Sequence, residues 1–300
     1  MSYRCLYIRY SDKISVDKNN LIIKNNEKEI EIPLSDISMI LIEDSKTVLT
    51  ARFISSLAKN YIGMILCDEK YVPVSITLPL NMHYKQLEVL NKQLSVKKPL
   101  NSQLWQKIIL AKLTNQRKLL ELKTNNEYYI EQISKYIGEM KSNDKTNREA
   151  LAAKAFFSGL YGEYFNRRRK SEDEINVALN YGYTVLAMAI CRYLCMYGFN
   201  TIIGIHHASM SNNFNLAYDF LEPFRPVVDS FVFDNLDSLS FPLATDIKVG
   251  LIRLLTNKIR LNNKNYLIEH AMEEMVLSYI KSIDNNDASM LLLPELLDEI

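Results

Sequence analysis

The stretch YVPVSITLPLNMHYKQLEVLNKQL, residues 71–94, decides the fold because its hydrophobic period changes partway along. The first half, up to Pro79, alternates apolar and polar residues with the period of two that is typical of a half-buried strand. The second half places Leu87, Leu90 and Leu94 at helical spacing. Strand patterning therefore stops near 79–81, and we expect a domain boundary there.

Segments on the amino-terminal side of this boundary have the composition of short strands. They are rich in Ile, Leu, Val and Tyr, and turn signals such as KNN and DEK bound them. The segments are CLYIRY, NLIIKN, KEIEIPL, ISMILIE and GMILCD. One stretch, residues 47–61, instead has apolar residues at helical spacing. Residues 1–80 are therefore predicted to form a small β-rich domain with one helix.

Residues 81–300 show helical periodicity over long segments. The predicted helices are 83–94, 102–123, 127–140, 148–167 and 175–198, with two more around 242–260 and 264–283. Only eight glycines and eight prolines occur in the chain, which favours long helices over loops. The predicted class is α+β with two domains, the second a larger all-α domain (81–300) that would hold the chemistry. We expect the apolar tail SMLLLPELLDEI to pack on that domain.

Composition restricts the class of protein. Hydrophobic residues make up 48% and charged residues 24% of the 300, as in an ordinary globular protein. No apolar run reaches the roughly 18 residues that a membrane span needs. The start, MSYRCLYIRYSDK, carries charges where a signal peptide has its apolar core, and the four cysteines lack metal-binding spacing. We expect a cytoplasmic protein with free thiols and no membrane contact.

The net charge of +1 conceals a segregation of charge along the chain. Residues 1–80 carry 10 basic and 10 acidic side chains, 81–170 carry 18 and 8, and 171–300 carry 8 and 17. The basic segment ends in Arg167, Arg168, Arg169 and Lys170. It is either a phosphate-binding surface or the solvated face of helices, and charge alone favours neither.

Glu149 is the first candidate for a metal ligand. It stands near the start of TNREALAAKAFF, residues 146–157, which are otherwise mostly apolar. Arg148 and Glu149 thus introduce a helix that we expect to be buried. The alternative is structural, because Thr146 and Glu149 have the spacing of a capping box.

A pair of histidines follows in GIHH, residues 204–207. The residues before the histidines are mostly isoleucines, so this segment is expected to be buried. His206 and His207 would point in different directions, and at most one would face a given site. The H-E-x-x-H signature of zinc proteases is absent from the sequence.

Two carboxylates lie close together in LAYDFLEPFRP, residues 216–226. Asp219 and Glu222 would share one face of a helix because they are three residues apart. The structural alternatives are an ion pair of Glu222 with Arg225, or a helix cap at Asp219. Carboxylates with one imidazole suit Mg²⁺ or Mn²⁺ better than a structural zinc ion. Such an ion could orient a water or a DNA 3′-hydroxyl at a phosphodiester.

The same residues resemble a known family. TNREALAAKAFF, NVALNYGYTVL, GIHH and NFNLAYDFLEPFRPVVD occur in that order and are similar to the CRISPR-associated endonuclease/integrase of spacer acquisition. The D-x-x-E-P-F-R-P run resembles the type II branch of that family. The resemblance spans most of the chain and implies the same layout of a β domain followed by a helical catalytic domain.

The resemblance also implies the site. A divalent ion, Mg²⁺ or Mn²⁺, would be held by Glu149, His207 and Glu222, which would be the catalytic residues. His207 is chosen because it stands three residues after Gly204, as in the G-x-x-H pattern of the family. The weaker, supporting candidates are Asp219, His206 and Arg148.

The implied activity is the insertion of short foreign DNA duplexes into a CRISPR repeat array, by attack of 3′-hydroxyls on phosphodiesters. The implied partners are double-stranded DNA, a second copy of the chain, and a small ferredoxin-like adaptation protein in a hetero-hexamer-type complex. The RNA-guided effector nuclease is a further candidate partner. Residues 1–80 would form the homodimer contact. The residues expected to bind DNA are Arg167, Arg168, Arg169 and Lys170.

Two other functions remain open at this point. The same ligands would serve a metal-dependent nuclease of branched or single-stranded DNA that does not integrate. The acidic residues could instead be caps and ion pairs of a non-catalytic DNA-binding scaffold.

Overall fold

The computed structural model of the protein describes residues 4–26, 28–79, 83–141, 147–168 and 172–298. The chain divides into two compact units, Met1–Tyr84 and Lys85–Ile300. The first unit holds mostly strands and the second mostly helices, so the predicted α+β class is confirmed. No helix in the described ranges is both long and apolar enough to cross a membrane.

Among its described residues, the first unit contains two four-stranded sheets, one α-helix and a 3₁₀ turn, Leu34–Asp36. Its elements are β1 (Arg4–Ile8), β2 (Lys13–Asp17), β3 (Asn20–Asn25), β4 (Lys28–Pro33), β5 (Ile37–Ile42), β6 (Val48–Leu49), α1 (Ala51–Lys59), β7 (Gly63–Cys67) and β8 (Pro73–Thr77). The sheets have the orders β1-β5-β7-β8 and β4-β3-β2-β6. In the first sheet β1, β5 and β7 are parallel and β8 is antiparallel to β7. Fully buried Ile14, Ile40 and Phe53 belong to the core of this unit.

Strands β2 and β6 were not predicted from the sequence. The short β6 lies inside the predicted helix 47–61 and pairs in parallel with β2. The helix itself begins at Ala51, because the Thr50 hydroxyl accepts a hydrogen bond from the backbone N–H of Phe53 (3.2 Å) and caps the first turn.

The second unit is built around two long helices. Its elements are α2 (Gln86–Ser95), α3 (Lys98–Lys123), α4 (Glu127–Glu139), α5 (Arg148–Tyr161), α6 (Glu174–Met196), α7 (Asn215–Leu221), α8 (Arg225–Asp234), α9 (Thr245–Arg253), β9 (Lys258–Leu261), β10 (Lys264–Leu267), α10 (Ile268–Asn285) and β11 (Pro294–Glu295). Helix α6 packs against α7, α8, α9 and α10, and α3 packs against α4, α5 and α8. A 3₁₀ turn, Glu222–Phe224, joins α7 to α8 and also packs on α3.

Several predicted helix bounds in this unit were wrong. Helix α5 ends at Tyr161 rather than near 167, because Gly162 takes a φ of +96° that stops the helix. The predicted helices 242–260 and 264–283 are interrupted by the β9–β10 hairpin. Its turn residues, Asn262 and Asn263, have φ of 49° and 59°, as two-residue hairpin turns require. The helical unit therefore also carries a small sheet, β10-β9-β11.

The expectation that the tail packs on the helical unit is confirmed. Strand β11 pairs with β9, and Asn115 on α3 donates from Nδ2 to the carbonyl oxygen of Pro294 (3.0 Å). The same Asn115 accepts a hydrogen bond from the N–H of Leu296 (3.1 Å). The side chain of Asn115 on the core helix α3 thus holds the tail through hydrogen bonds to the backbone of the tail.

Candidate active site

Helix α3 carries a row of polar residues on its buried face. Lys112, Asn115 and Gln116 lie at i, i+3 and i+4, so they share one face of the helix. They are only 7%, 1% and 1% exposed, among fully buried neighbours such as Ile108 and Leu113. A buried ammonium needs partners of opposite charge, and Lys112 has two.

Glu149 is the first of these partners. It is the second residue of α5, and its Oε1 lies 2.9 Å from Lys112 Nζ. Thr146 lies outside the described residues, but α5 begins at Arg148 with Asn147 in the left-handed region before it. The capping-box alternative needs both Thr146 and Glu149, so it falls outside the described residues and stays a prediction.

Glu222 is the second partner. It opens the 3₁₀ turn between α7 and α8 and is only 4% exposed. Its Oε1 lies 3.0 Å from Arg225 Nη2, which confirms the ion pair considered from the sequence. Its Oε2 lies 2.7 Å from Lys112 Nζ but accepts no well-aligned hydrogen bond within the described part of the chain. Burial would raise the pKa of Glu222, but Arg225 and Lys112 outweigh it and lower the pKa to about 2.

His207 lies on an irregular segment whose backbone is held by hydrogen bonds to the buried carboxylate of Asp219. Asp219 on α7 is fully buried and accepts backbone N–H groups from Ile205 (2.6 Å), His206 (3.1 Å) and His207 (3.1 Å). Its Oδ1 also lies 2.6 Å from His207 Nδ1. This hydrogen bond raises the pKa of His207, against the effect of burial. In neutral His207 the bond holds the proton on Nδ1, which leaves Nε2 as the acceptor.

The two histidines differ in surroundings, as expected. Their rings are 6.1 Å apart and inclined by 81°. His206 is stacked parallel on Trp105 of α3, with ring centroids 4.2 Å apart and planes 5° apart. His207 meets the same indole edge-on at 5.7 Å. His206 therefore helps to anchor the segment on α3.

The three predicted ligands line one cleft. Its volume is about 270 Å³, and it is lined by Lys112, Gln116, Glu149, Ala153, Phe157, Arg167, Tyr183, His207, Glu222 and Arg225. The three ligands come from α5, the irregular segment before α7, and the 3₁₀ turn after α7. Side chains that are far apart in sequence thus converge on one space in the helical unit.

One wall of the cleft is basic. Arg225 and Arg167 both lie over the ring of Tyr183, at 4.5 and 5.2 Å from its centroid. Arg167 also donates to Asn176 Oδ1 (2.9 Å) and Asn180 Oδ1 (2.6 Å), which fixes its guanidinium at the cleft. Such a wall favours an anionic group in the cleft.

The remaining predicted residues do not line the cleft. Asp219 lies behind His207, and His206 is on Trp105. Arg148 is directed to α4, where its Nε lies 3.0 Å from Glu139 Oε2. Arg168 is exposed, and Arg169 and Lys170 lie outside the described residues.

The donor set fits a hard divalent cation. Two carboxylates and the His207 imidazole line one cleft. The Nδ1 of that ring is held by a carboxylate, as is usual for metal-ligating histidines. Within the described ranges, however, no three His, Cys, Asp or Glu side chains are already grouped tightly enough to hold a metal ion. The ammonium of Lys112 lies between the two glutamates instead.

The sequence interpretation did not place three further residues at the site: Lys112, Tyr183 and Trp105. The available signal was Lys112 among Ile108, Ile109 and Leu113, a charged residue on an apolar helical face. Asn115 and Gln116 repeat that signal one turn later. Nothing in the local pattern indicates that Tyr183 would separate two arginines.

Comparisons with known proteins agree on one family. The family model described as CRISPR associated protein Cas1 matches residues 6–244. The CRISPR-associated endonuclease Cas1 of Neisseria meningitidis serogroup C (strain 8013) is 36% identical over 299 residues, 99% of this chain and 97% of that one. The CRISPR-associated endonuclease Cas1 of Korarchaeum cryptofilum (strain OPF8) is 22% identical over 88% of each chain.

Solved structures have the same fold. A casposase bound to integration product matches with a TM-score of 0.79 at 20% identity, covering 100% of this chain and 96% of that one. A CAS1 protein from Thermotoga maritima matches with a TM-score of 0.74 at 15% identity, covering 94% and 97%. A chain of a Cas6-RT-Cas1–Cas2 complex matches with a TM-score of 0.78 at 17% identity, covering 99% of this chain and 36% of that one.

Proposed function

We propose that this chain, which belongs to the CRISPR associated protein Cas1 family, inserts short foreign DNA duplexes into a CRISPR repeat array. Its relatives are named endonucleases, and one structural neighbour is described with an integration product, so the general class is that of a nuclease or integrase enzyme. The observation that carries the finer proposal is the convergence of Glu149, His207 and Glu222 on one cleft with a basic wall.

The three residues would hold Mg²⁺ or Mn²⁺, which when bound would polarise a phosphodiester and orient the attacking 3′-hydroxyl. Asp219 keeps the Nδ1 proton of His207 in place, so that Nε2 presents its lone pair to the cleft. Arg225, which pairs with Glu222, and Arg167 supply fixed positive charge at the cleft, which would favour a bound phosphodiester.

The proposed partners are DNA, a second copy of the chain and the small ferredoxin-like adaptation protein. One structural neighbour belongs to a complex that contains Cas2, which supports such a partner. We assign homodimer formation to the β-rich unit and the type II branch to the chain, the latter on the D-x-x-E-P-F-R-P run and the Neisseria relative. An effector nuclease as partner and a cytoplasmic location stay predictions.

A strand-transfer assay tests the proposal. Labelled short duplex, a supercoiled repeat-bearing plasmid and Mn²⁺ are incubated with the wild type and with Glu149→Gln, His207→Ala or Glu222→Gln. Each variant should lose at least about a hundredfold in joining, as the removal of a metal or transition-state contact does, and should still bind DNA. Glutamine is chosen at 222 because its amide oxygen can still accept hydrogen bonds from the buried Lys112 and Arg225, whereas alanine offers no acceptor.

Asp234→Asn is the matched control. Asp234 also pairs with a lysine of α3, Lys123, at 2.7 Å, but it does not line the cleft. It should join DNA as the wild type does. Cleavage without joining in the wild type, with the small partner protein present, would favour the non-integrating nuclease. DNA binding with no metal-dependent chemistry would favour the scaffold.

A further inference from the structure

Lys112 occupies the position between two of the proposed metal ligands. Its Nζ lies 2.9 Å from Glu149 Oε1 and 2.7 Å from Glu222 Oε2, and the side chain is only 8% exposed. One ammonium on α3 therefore connects α5 with the turn between α7 and α8. Arg225, another cation of the cleft, pairs with Glu222.

We propose that Lys112 is a resident cation of the metal-free protein, and that a divalent ion binds by displacing its ammonium from the Glu149–Glu222 pair. The proposal rests on the metal site of the proposed function. It adds that metal binding is an exchange of one cation for another, so that Lys112 sets the affinity of the site.

The geometry makes joint occupancy unfavourable. A magnesium ion sits at 2.0–2.1 Å from its oxygen ligands, while the ammonium already lies within 3 Å of one oxygen of each glutamate. An ion that bridged the same two carboxylates would be in contact with the ammonium. Two cations at such a short distance repel each other strongly when the site is poorly hydrated.

The exchange has a structural purpose. Without a cation between them, Glu149 and Glu222 would be two carboxylates converging on one partly buried cleft, and each would favour a position farther from the other. Lys112 holds them together before the metal arrives. Lys112 itself lines the cleft of about 270 Å³ and has a flexible four-carbon stem, so the displaced ammonium would remain in the cleft as a positive charge.

Binding of Mn²⁺ to purified full-length protein tests the exchange without measuring activity. Trp105 is the single tryptophan of the chain and contacts His207 edge-on, so its fluorescence reports on the site. Calorimetry gives the affinity independently. Lys112→Met keeps the length of the side chain and removes the charge. It should lower the metal-free Tm, bind Mn²⁺ about tenfold or more tightly than the wild type, and gain more in Tm from the ion.

Lys123→Met is the control, because Lys123 lies on the same helix and pairs with Asp234 outside the cleft. Its Mn²⁺ affinity should equal that of the wild type. Lys112→Arg retains the charge and should not bind the ion more tightly than the wild type. Lys112→Gln replaces the methionine variant in the comparison in case that variant does not fold.

Equal or weaker Mn²⁺ binding by a folded, uncharged Lys112 variant would overturn the exchange. Tighter binding by the Lys123 control would overturn it too, because the effect would then follow general charge. A folded wild type and a folded Lys112→Met variant that both bind no Mn²⁺ would instead contradict the metal site of the proposed function.

Discussion

At Gly204 the backbone and a buried carboxylate approach so closely that no side chain fits between them. A Cβ at this position would lie 2.3 Å from the carbonyl oxygen of His207 and 2.7 Å from Asp219 Oδ2. The spacing of Gly204 and His207 in the G-x-x-H pattern therefore has a steric reason. The glycine lets the chain fold tightly enough for Asp219 to accept three backbone N–H groups and the His207 ring.

Replacing Gly204 by alanine should displace His207. We expect a loss of about 1–3 kcal/mol in the free energy of unfolding, as for other overpacked positions, and a loss of Mn²⁺ binding and strand transfer. Urea unfolding measures the free energy of unfolding, calorimetry measures Mn²⁺ binding, and the strand-transfer assay measures joining. Gly138→Ala is the control, because nothing lies within 4 Å of its added Cβ in helix α4; it should be neutral or stabilise by up to about 1 kcal/mol. Equal effects of the two substitutions would contradict the steric explanation.

Asp229 makes stability depend on pH. It is fully buried on α8 and accepts a hydrogen bond from the Tyr183 hydroxyl. Burial, only partly offset by that bond and by Arg225, raises its pKa from 3.8 to about 7. Between these values the folded protein binds more protons than the unfolded chain, so the stability from this group is full below about pH 4 and is lost as pH rises to about 7.

Asp229→Asn should remove this dependence, since asparagine does not ionise. The free energy of unfolding of the wild type minus that of the variant should fall from pH 4 to pH 7, by at most roughly 1.4 kcal/mol per pH unit. Urea unfolding at half-unit steps of pH measures the difference. A difference that stays constant, or rises, over this range would contradict the assignment to Asp229.

At the scale of elements, α3 organises the helical unit from its centre. Besides Lys112, its residue Asn115 donates to the carbonyl oxygens of Pro223 and Pro294, both at 3.0 Å, and accepts from the N–H of Leu296. Pro223 directly follows the ligand candidate Glu222. One buried amide therefore joins the core helix, the carboxy-terminal tail and the turn that carries Glu222.

Asn115→Ala should leave these buried backbone groups without partners. Each such group costs about 1–3 kcal/mol, so we expect a loss of roughly 3 kcal/mol or more in the free energy of unfolding, with weaker Mn²⁺ binding because the turn at Glu222 loosens. Asn285→Ala is the comparison, since its amide is exposed and, among the described residues, donates to the carbonyl oxygen of Lys281 in its own helix. It should change stability by about 0.5 kcal/mol or less. Similar values for the two variants would show that Asn115 does not join these elements.

At the scale of the molecule, the segregation of charge has an internal purpose. Basic residues of segment 81–170 pair with acidic residues of segment 171–300. The pairs are Lys92–Asp284, Lys112–Glu222, Lys118–Asp298 and Lys123–Asp234. The basic segment was interpreted from the sequence as a phosphate-binding surface or as a solvated face. Neither interpretation included this pairing, because it joins residues on different elements.

Part of the basic surplus is not used in these ion pairs, and we expect it to contribute to the proposed DNA binding. Within the described ranges, eight basic side chains of this segment make no ion pair: Lys97, Lys98, Lys107, Lys135, Lys141, Lys154, Arg167 and Arg168. Two of them, Lys107 and Arg167, instead donate hydrogen bonds to neutral oxygens inside the helical unit. Affinity for duplex DNA should therefore fall steeply between 50 and 200 mM salt. The double variant Lys154→Gln, Arg168→Gln should reduce the slope of the logarithm of the binding constant against the logarithm of the salt concentration by about 2. Fluorescence anisotropy measures this binding constant. Lys264→Gln with Lys281→Gln is the control, and an equal reduction there would contradict a local DNA surface.

The sequence by itself determined the class of fold and the identity of the candidate ligands. Hydrophobic period is a local property, so the change from strands to helices near residue 80 can be read directly from residues 71–94. The motifs around Glu149, His207 and Glu222 are also local, and they were sufficient to indicate the family. The β9–β10 hairpin had a local signal as well, the pair Asn262–Asn263, which was outweighed by the helical pattern around it.

Only the tertiary structure decided what each of these residues contacts. It placed Asp219 behind His207 rather than in the cleft, turned Arg167 inward onto Tyr183, and put the ammonium of Lys112 between two glutamates. Lys112 meets Glu149 across 37 positions of sequence. Contacts of this kind depend on how helices pack and on which buried charges must be compensated, and neither is encoded in the pattern of any single segment.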